Sequence, residues 1–300
     1  MRKLGVVALA IVLTGCANSQ MFHTKTISED DVSAIKLEST TSFSVSRVVV
    51  LANGVAEIMQ SLNAKSILVG RDISSTEKSL QSIPIVTSGH QVIPEKVLAL
   101  KPDLVIIDGS TGPSSAIDQI RTAGIRIVST PESWTLSDIA LKVAAVANAI
   151  GAPQQGELLN TAITAALKTS KLLTKPRIVF LYLRGTSSIY LVGGPGSGAD
   201  SLISAIGAVD VGASTLPHPF NSMTAESLAT LNPDLIIVMT KGLQSVGGVT
   251  GLLKLPGVAQ TTAGKNHGII DVDDSLLLSF GPRTPSLVME LSEKVAGLLK

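Results

Sequence analysis

The segments IPEKVLALKPDLVIIDGS (residues 93–110) and MTAESLATLNPDLIIVMTKG (residues 223–242) carry the same pattern. Glu95 in the first corresponds to Glu226 in the second, and the Pro-Asp-Leu triplets that follow keep the same offset of 131 residues. Each copy predicts a short helix with a glutamate in its first turn, where the helix dipole favours an anion. The Pro-Asp pair ends that helix, and the β-branched run after it is typical of a buried parallel strand. Two such copies predict two similar α/β lobes with a binding cleft between them.

Strands and helices are predicted to alternate on both sides of this repeat. The first lobe begins with the strand RVVVLA at Arg47, and the second begins with PRIVFLYLRG at Pro176. Between them, QQGELLNTAITAALKTSKLL has the apolar spacing of one helix of about 20 residues. We therefore expect two Rossmann-like lobes with mainly parallel sheets, joined by a single long α-helix that permits only small hinge motion.

The first 16 residues, MRKLGVVALAIVLTGC, have a positive start and an apolar stretch that is too short to span a bilayer. The segment ending at Cys16, the only cysteine in the chain, resembles a bacterial lipobox. The resemblance implies cleavage before Cys16 and attachment of lipid to its sulfur. The alternative is an ordinary signal peptide with a chance cysteine.

The remaining boundaries follow from polarity and helical spacing. We expect a polar, flexible tether over 17–43, an N-terminal lobe over 44–153, the connecting helix over 154–174 and a C-terminal lobe over 175–300. A net charge of +1 without a basic stripe argues against a nucleic-acid partner. An aromatic content of 3% argues against a sugar site built from stacked rings.

The lipobox, the tether, the paired E-x-x-L/A-x-L-x-P-D-L segments and the single mid-chain helix together resemble the substrate-binding proteins of bacterial metal-chelate importers. This family (class III substrate-binding proteins) carries vitamin B12, ferric siderophores or haem. Three further segments resemble its haem-binding lipoproteins: GPGSGADSLISAIGA (194–208), GLQSVGGVTGLLKLPGVAQTTAGKN (242–266) and LLLSFGPRTP (276–285).

The resemblance implies a lipid-anchored, extracytoplasmic monomer that catalyses nothing. It would hold haem, as ferric protoporphyrin IX, between its lobes and pass it to the permease dimer of an ABC importer with its ATPase. Glu95 and Glu226 would dock on the permease, one glutamate on each subunit; their simpler interpretation is favourable charge at a helix start.

The resemblance also suggests axial ligands for the haem iron. His90 precedes the first repeat helix, at the edge of the sheet where α/β ligand sites form. Tyr182 and Arg184 end the first strand of the second lobe, and alternation puts them on one side. A phenolate suits ferric haem, and Arg184 would favour the phenolate and pair with a propionate. The alternatives are an exposed loop histidine, a packed tyrosine and a solvated arginine.

Weaker candidates have equally good structural interpretations. Arg71 and Arg283 are candidates for propionate binding, and Tyr190 and Trp134 for the cleft wall. His218 is a second candidate imidazole, whereas His23 and His267 lie in poor positions for a ligand.

Other functions are less consistent with the residues. A ferric siderophore or cobalamin carrier with the same fold would give His90 and Tyr182 no special purpose. A zinc or manganese carrier needs three or four clustered ligands, and the four histidines of this chain are scattered. No H-E-x-x-H or G-x-S-x-G motif nominates an exported enzyme.

Overall fold

The computed structural model describes residues 24–38, 41–89, 91–167 and 172–299. The strands are β1 (Thr24–Ile27), β2 (Val48–Val50), β3 (Leu68–Arg71), β4 (Thr87–Ser88), β5 (Gln91–Val92), β6 (Leu104–Ile107), β7 (Arg126–Ser129), β8 (Arg177–Arg184), β9 (Ile189–Gly193), β10 (Val209–Asp210), β11 (Phe220–Ser222), β12 (Leu235–Met239) and β13 (Ile269–Val272). The helices are α1 (Val55–Ser61), α2 (Pro94–Ala99), α3 (Ser114–Thr122), α4 (Asp138–Ala149), α5 (Pro153–Ala166), α6 (Ala199–Ala205), α7 (Val211–Thr215), α8 (Ala225–Leu231), α9 (Thr240–Ser245), α10 (Gly248–Leu252), α11 (Thr262–Asn266), α12 (Asp274–Leu277) and α13 (Thr284–Leu298).

The N-terminal lobe contains a parallel sheet in the order β3-β2-β6-β7. Its central strands are buried on both faces, which explains the continuous β-branched runs in the sequence. The short antiparallel hairpin β4–β5 lies outside this sheet.

The C-terminal lobe contains a larger sheet in the order β1-β13-β12-β8-β9-β11, with β10 paired to β8. The four neighbouring strands β1, β13, β12 and β8 run parallel, and β9 is antiparallel to both of its neighbours, β8 and β11. The prediction of two α/β lobes with mainly parallel sheets is confirmed.

The repeat in the sequence is also a repeat in hydrogen bonding. The carboxylate of Asp103 accepts from the backbone N–H of Arg47 at 3.1 Å, and that of Asp234 accepts from the backbone N–H of Arg177 at 2.8 Å. Each arginine side chain also donates to the carboxyl end of the helix that comes before the Pro-Asp pair. Arg47 donates to the Leu100 carbonyl at 2.6 Å, after α2, and Arg177 donates to the Leu231 carbonyl at 2.7 Å, in α8. Each Pro-Asp pair therefore fastens its helix to the first strand of its own lobe.

The lobes share one buried core. Ile58 of α1, Val143 of α4, Phe180 of β8 and Leu291 of α13 belong to a single apolar cluster. The Lys142 amine, buried in α4, donates to the Ser279 carbonyl at 2.6 Å, and burial lowers its pKa to about 8. This continuity supports the expectation of limited hinge motion.

The mid-chain helix is shorter than predicted. α5 begins at Pro153 and ends at Ala166, and residues 168–171 lie outside the described ranges. It packs against α4, and a Cβ added at Gly156 would lie only 2.5 Å from the Ala147 Cβ. The link between the lobes is therefore a helical hairpin rather than one isolated helix.

The prediction of a free tether over 17–43 is wrong for the residues that the structure describes from Thr24 onward. β1 pairs in parallel with β13, and Ile27 is fully buried. Further along, the Leu37 N–H donates to the Ser61 carbonyl at 2.9 Å. The apolar residues of this segment are too widely spaced to reveal a strand, but Ile27 and Val32 lie in the shared core, and Ile35, Leu37 and Phe43 pack against it. Within the described ranges, no helix has both the length and the apolar character needed to cross a membrane.

Candidate ligand-binding site

A cleft of about 530 Å³ lies between the two lobes, beside the carboxyl ends of β2 and β8. The wall from the N-terminal lobe is mostly polar: Asn53, Asp72, Ser74, Thr87, Ser110 and Thr111. The wall from the C-terminal lobe is mostly apolar: Tyr182, Ile189, Leu191, Phe220 and Leu278. A cavity with one apolar wall and a few polar groups opposite it suits a flat, largely apolar molecule.

One end of this cleft continues into a second space of about 350 Å³, which also has Tyr182 on its wall. Arg184, Lys241 and Asp274 line this end and give it charged groups. We call it the charged end of the cleft.

Strand β8 sets the position of Tyr182. Side chains alternate along a strand, so Phe180 and Tyr182 face the shared core and the cleft, whereas Leu181 and Leu183 enter a separate cluster on the other face of the sheet. The Tyr182 ring meets that of Phe220 edge to face, with 5.7 Å between ring centres. This contact fixes the ring on the apolar wall.

Arg184 lies on the same side as Tyr182, as the alternation predicts. Its guanidinium carbon lies 4.5 Å from the centre of the Tyr182 ring. Its Nη1 donates to the Leu183 carbonyl at 2.9 Å, and its Nη2 lies 3.7 Å from the Asp274 carboxylate. The arginine thus places a positive charge over the phenol ring.

His90 lies outside the described residues, so its part in the site stays a prediction. The hairpin strands β4 and β5 precede and follow it in the sequence, and Gly89 lines the cleft. Cys16 and His23 also lie outside the described residues.

Arg71 is not among the residues that line the cleft, which contradicts the expectation for it. Its side chain is buried and donates to the carbonyls of Leu80 at 3.1 Å, Ile83 at 3.0 Å and Ser75 at 2.7 Å. These bonds tie the loop after β3 to the lobe. A guanidinium has enough donors to satisfy several carbonyls at once, and here they are used inside the protein.

Arg283 is likewise absent from the cleft. It is 4% exposed and forms ion pairs with Glu57 at 2.9 Å and with Glu77 at 3.0 Å. Burial is the main reason that the pKa of Glu77 rises to about 7, and the nearby Glu57 charge adds to the rise while Arg283 opposes it. The expectation that Arg283 meets a ligand carboxylate is therefore wrong, because this arginine joins the start of α13 to the N-terminal lobe.

The remaining candidates divide between wall and surface. Tyr190 packs with the cluster on the outer face of the sheet, whereas its neighbours Ile189 and Leu191 line the cleft. Trp134 is a wall residue, and its Nε1 donates to Glu132 at 3.0 Å. His218 is exposed and does not line the cleft.

His267 ends α11 with a left-handed backbone, at φ 52°, far along the chain from the wall residues. In the part of the chain that the structure describes, no group of three or more His, Cys, Asp or Glu side chains is arranged to hold a metal ion.

Glu95 and Glu226 occupy matching exposed positions in the first turns of α2 and α8. Thr224 caps the second helix by accepting from the Ser227 N–H at 3.0 Å. Neither glutamate forms an ion pair with another described residue.

Several wall residues of the cleft are not among the candidates predicted from the sequence. Leu191 and Ile189 could have been found by alternation around Tyr190, because the two flanking residues share the opposite face. Lys241 follows β12 at its carboxyl end, which is the edge where ligands bind in α/β sheets. Phe220 carries no local signal, since its contact with Tyr182 depends on the antiparallel pairing of β9 and β11.

The fold is similar to those of solved haem-binding proteins. The periplasmic heme-binding protein RhuT from Roseiflexus sp. RS-1, in apo form, is 34% identical, with a TM-score of 0.81 over 85% of this chain and 100% of that chain. The heme-binding protein HmuT is 32% identical, with a TM-score of 0.76 over 91% of this chain and 94% of its own. BhuT, solved with two hemes, is 28% identical, with a TM-score of 0.75 over 87% of this chain and 100% of that chain.

A curated relative agrees with these structures. The uncharacterized ABC transporter substrate-binding lipoprotein YvrC of Bacillus subtilis is 26% identical over 95% of this chain and 93% of its own length. The sequence pattern of the periplasmic binding proteins matches residues 48–276, which is most of the chain and includes the wall residues of the cleft except Leu278. This protein therefore belongs to the periplasmic binding protein family.

Proposed function

We propose that this protein captures ferric haem in the cleft between its lobes and delivers it to an ABC importer. The observation that carries the proposal is the apolar wall with Tyr182 at its centre and the Arg184 guanidinium 4.5 Å from the ring centre. A porphyrin has two large apolar faces, which this wall can cover. The cleft also falls within the range of about 300–1,000 Å³ that is usual for small-molecule sites.

The Tyr182 phenolate and the His90 imidazole are the proposed iron ligands, one from each lobe. Support for Tyr182 comes from its place on the cleft wall, and support for His90 from its neighbour Gly89 on the opposite wall. HmuT has also been solved with a tyrosine, an arginine two positions after it and a histidine each replaced by alanine. That spacing matches Tyr182 and Arg184 in this chain.

The proposal includes an anchor and a docking surface. Lipid on Cys16 would hold the protein outside the cytoplasmic membrane, as the name of the lipoprotein YvrC suggests for that relative. The exposed, symmetric Glu95 and Glu226 would each pair with a cation on one permease subunit of the importer with its ATPase. The protein would act as a monomer and as a carrier, without catalysing a reaction on its cargo.

Titration of the purified protein with ferric haem, followed at the Soret band, tests the cargo. We expect saturation with defined stoichiometry and no displacement of haem by cobalamin or a ferric siderophore. A flat titration, or tight binding of either alternative with displacement of haem, would overturn the proposal.

The docking surface needs a separate experiment in the reconstituted importer. Replacing Glu95 and Glu226 together by alanine should leave the haem titration unchanged and abolish uptake. The matched control is Glu293→Ala, which removes an exposed glutamate of α13. Uptake that survives the double replacement would count against docking through these glutamates.

A further inference from the structure

The cationic side chains of the cleft are gathered at one end. Among the described residues that line the cleft and its charged end, Arg184 and Lys241 are the cations, and both lie at the charged end. The main part of the cleft has no cation on its described walls. A flat ligand with carboxylates on one edge would therefore enter with that edge toward Arg184 and Lys241.

Arg184 is already engaged. Its guanidinium lies over the Tyr182 ring, donates to the Leu183 carbonyl at 2.9 Å and approaches Asp274 at 3.7 Å. Moving it to a ligand carboxylate would take the positive charge away from the phenol face. The stacking geometry thus indicates that Arg184 interacts with Tyr182 rather than with a ligand carboxylate.

Lys241, unlike Arg184, is held through its backbone and leaves its side chain available. Its backbone N–H donates to the Asp274 carboxylate at 2.9 Å, which fixes the start of α9 beside the charged end. Its side chain is exposed, and no carboxylate of the described residues lies within 4 Å of its amine. The backbone at Lys241 is therefore held in place, whereas its side chain is flexible and its amine forms no ion pair with another described residue.

We propose that Lys241 pairs with a propionate of the bound haem and so sets which edge of the porphyrin faces the charged end. This inference rests on the proposed function and separates two roles: Arg184 acts on the tyrosine, and Lys241 acts on the carboxylate. Lysine suits this role because its ammonium is a compact charge that needs no fixed approach direction. Two cations, Arg184 and Lys241, against the one carboxylate of Asp274 leave the charged end with net positive charge, which favours an anionic group.

The test compares ferric haem with its dimethyl ester, which keeps the ring and the iron but has no carboxylates. Both are titrated into the unaltered protein, Lys241→Gln, Lys241→Arg and the matched control Lys254→Gln, an exposed lysine outside the cleft. We expect Lys241→Gln to weaken haem binding by about 2- to 5-fold and to leave ester binding unchanged, as suits one exposed ion pair. The Soret spectrum should not change, because the iron ligands remain.

Lys241→Arg should restore the preference for haem over the ester, and Lys254→Gln should behave like the unaltered protein. Equal haem affinity in Lys241→Gln and the unaltered protein would overturn the inference and leave the proposed function standing. An equal loss of haem and ester binding would also overturn it, because the lysine would then act on the fold rather than on a carboxylate. Failure of the unaltered protein to bind haem would instead overturn the proposed function and this inference together.

Discussion

Arg184 covers the face of Tyr182: the guanidinium carbon lies 4.5 Å from the ring centre, and both residues lie at the carboxyl end of β8. A cation over a partly desolvated aromatic face contributes about 0.5–2 kcal/mol. The pair therefore links the packing of the apolar wall to the chemistry of the proposed iron ligand.

Replacing Arg184 by leucine should alter the haem complex at the iron. We expect a shifted Soret band and haem binding that is about 3- to 10-fold weaker, because the phenolate loses its neighbouring cation. Absorption spectra of the complex measure both effects. The control is Arg126→Leu, an exposed arginine of β7. A spectrum identical to that of the unaltered protein would show that Arg184 does not act through Tyr182.

The buried carboxyl of Glu77 should make stability depend on pH. Its pKa is raised to about 7 in the folded protein, chiefly by burial, so the folded state holds a proton that the unfolded state releases above its ordinary pKa of 4.5. The free energy of unfolding should therefore fall as pH rises from about 4.5 to 7, by about 1–3 kcal/mol from this group.

Urea unfolding at pH 5 and pH 7.5 measures that dependence. Glu77→Gln should make it shallower, because glutamine stays neutral at both values and only the contribution of groups such as Asp210, whose pKa burial raises to about 6, remains. The exposed Glu293→Gln should keep the slope of the unaltered protein. A Glu77→Gln protein with the same pH slope as the unaltered protein would contradict the assignment.

The N-terminal strand β1 should contribute to stability, although the sequence predicts a polar tether in this region. Ile27 is fully buried in the shared core, so Ile27→Ala should lower the free energy of unfolding by about 2–4 kcal/mol. Lys25→Ala, an exposed change in the same strand, should cost less than about 0.5 kcal/mol. Chemical denaturation of the three proteins measures the difference. A negligible cost at Ile27 would mean that β1 does not stay paired with β13.

The helical hairpin between the lobes gives a prediction about close packing. Adding a methyl group at Gly156 places it 2.5 Å from the Ala147 Cβ, and a neighbouring methyl group has no rotamer with which to move away. Gly156→Ala should therefore destabilise the protein by about 1–3 kcal/mol, although alanine is the better helix former.

The double replacement Gly156→Ala with Ala147→Gly is the matched test of that contact. Because it exchanges which helix carries the methyl group, it should recover part of the loss, with a favourable coupling of about 1 kcal/mol between the two sites. Strict additivity of the two single costs would indicate that α4 and α5 do not meet there.

The repeat was predictable because each copy contains its own local signals. The Pro-Asp pairs, the helix-start glutamates and the buried strand runs require no long-range information, and Asp103 and Asp234 form the same bonds in both lobes. The β8 alternation likewise placed Tyr182 and Arg184 on one side of the strand. Local sequence patterns were thus enough to predict the two-lobed fold and one wall of the site.

Long-range partners account for what the sequence did not reveal. An arginine after a Gly-Pro pair looks the same in the sequence whether it faces a ligand or, like Arg283, two carboxylates more than 200 positions away, at Glu57 and Glu77. The strand β1 is invisible for a similar reason, because its partner β13 lies at the other end of the chain. Such pairings depend on topology, which composition and periodicity do not encode.

The most direct test of the account is resonance Raman spectroscopy of the ferric haem complex in the unaltered protein, Tyr182→Phe and Tyr190→Phe. Tyr190 is the matched control, since it packs on the outer face of the same sheet. We predict iron–phenolate vibrations in the unaltered protein and in Tyr190→Phe, and their loss in Tyr182→Phe. Iron–phenolate vibrations that persist in Tyr182→Phe, or that are absent from the unaltered complex, would contradict the claim that Tyr182 holds the haem iron in the cleft.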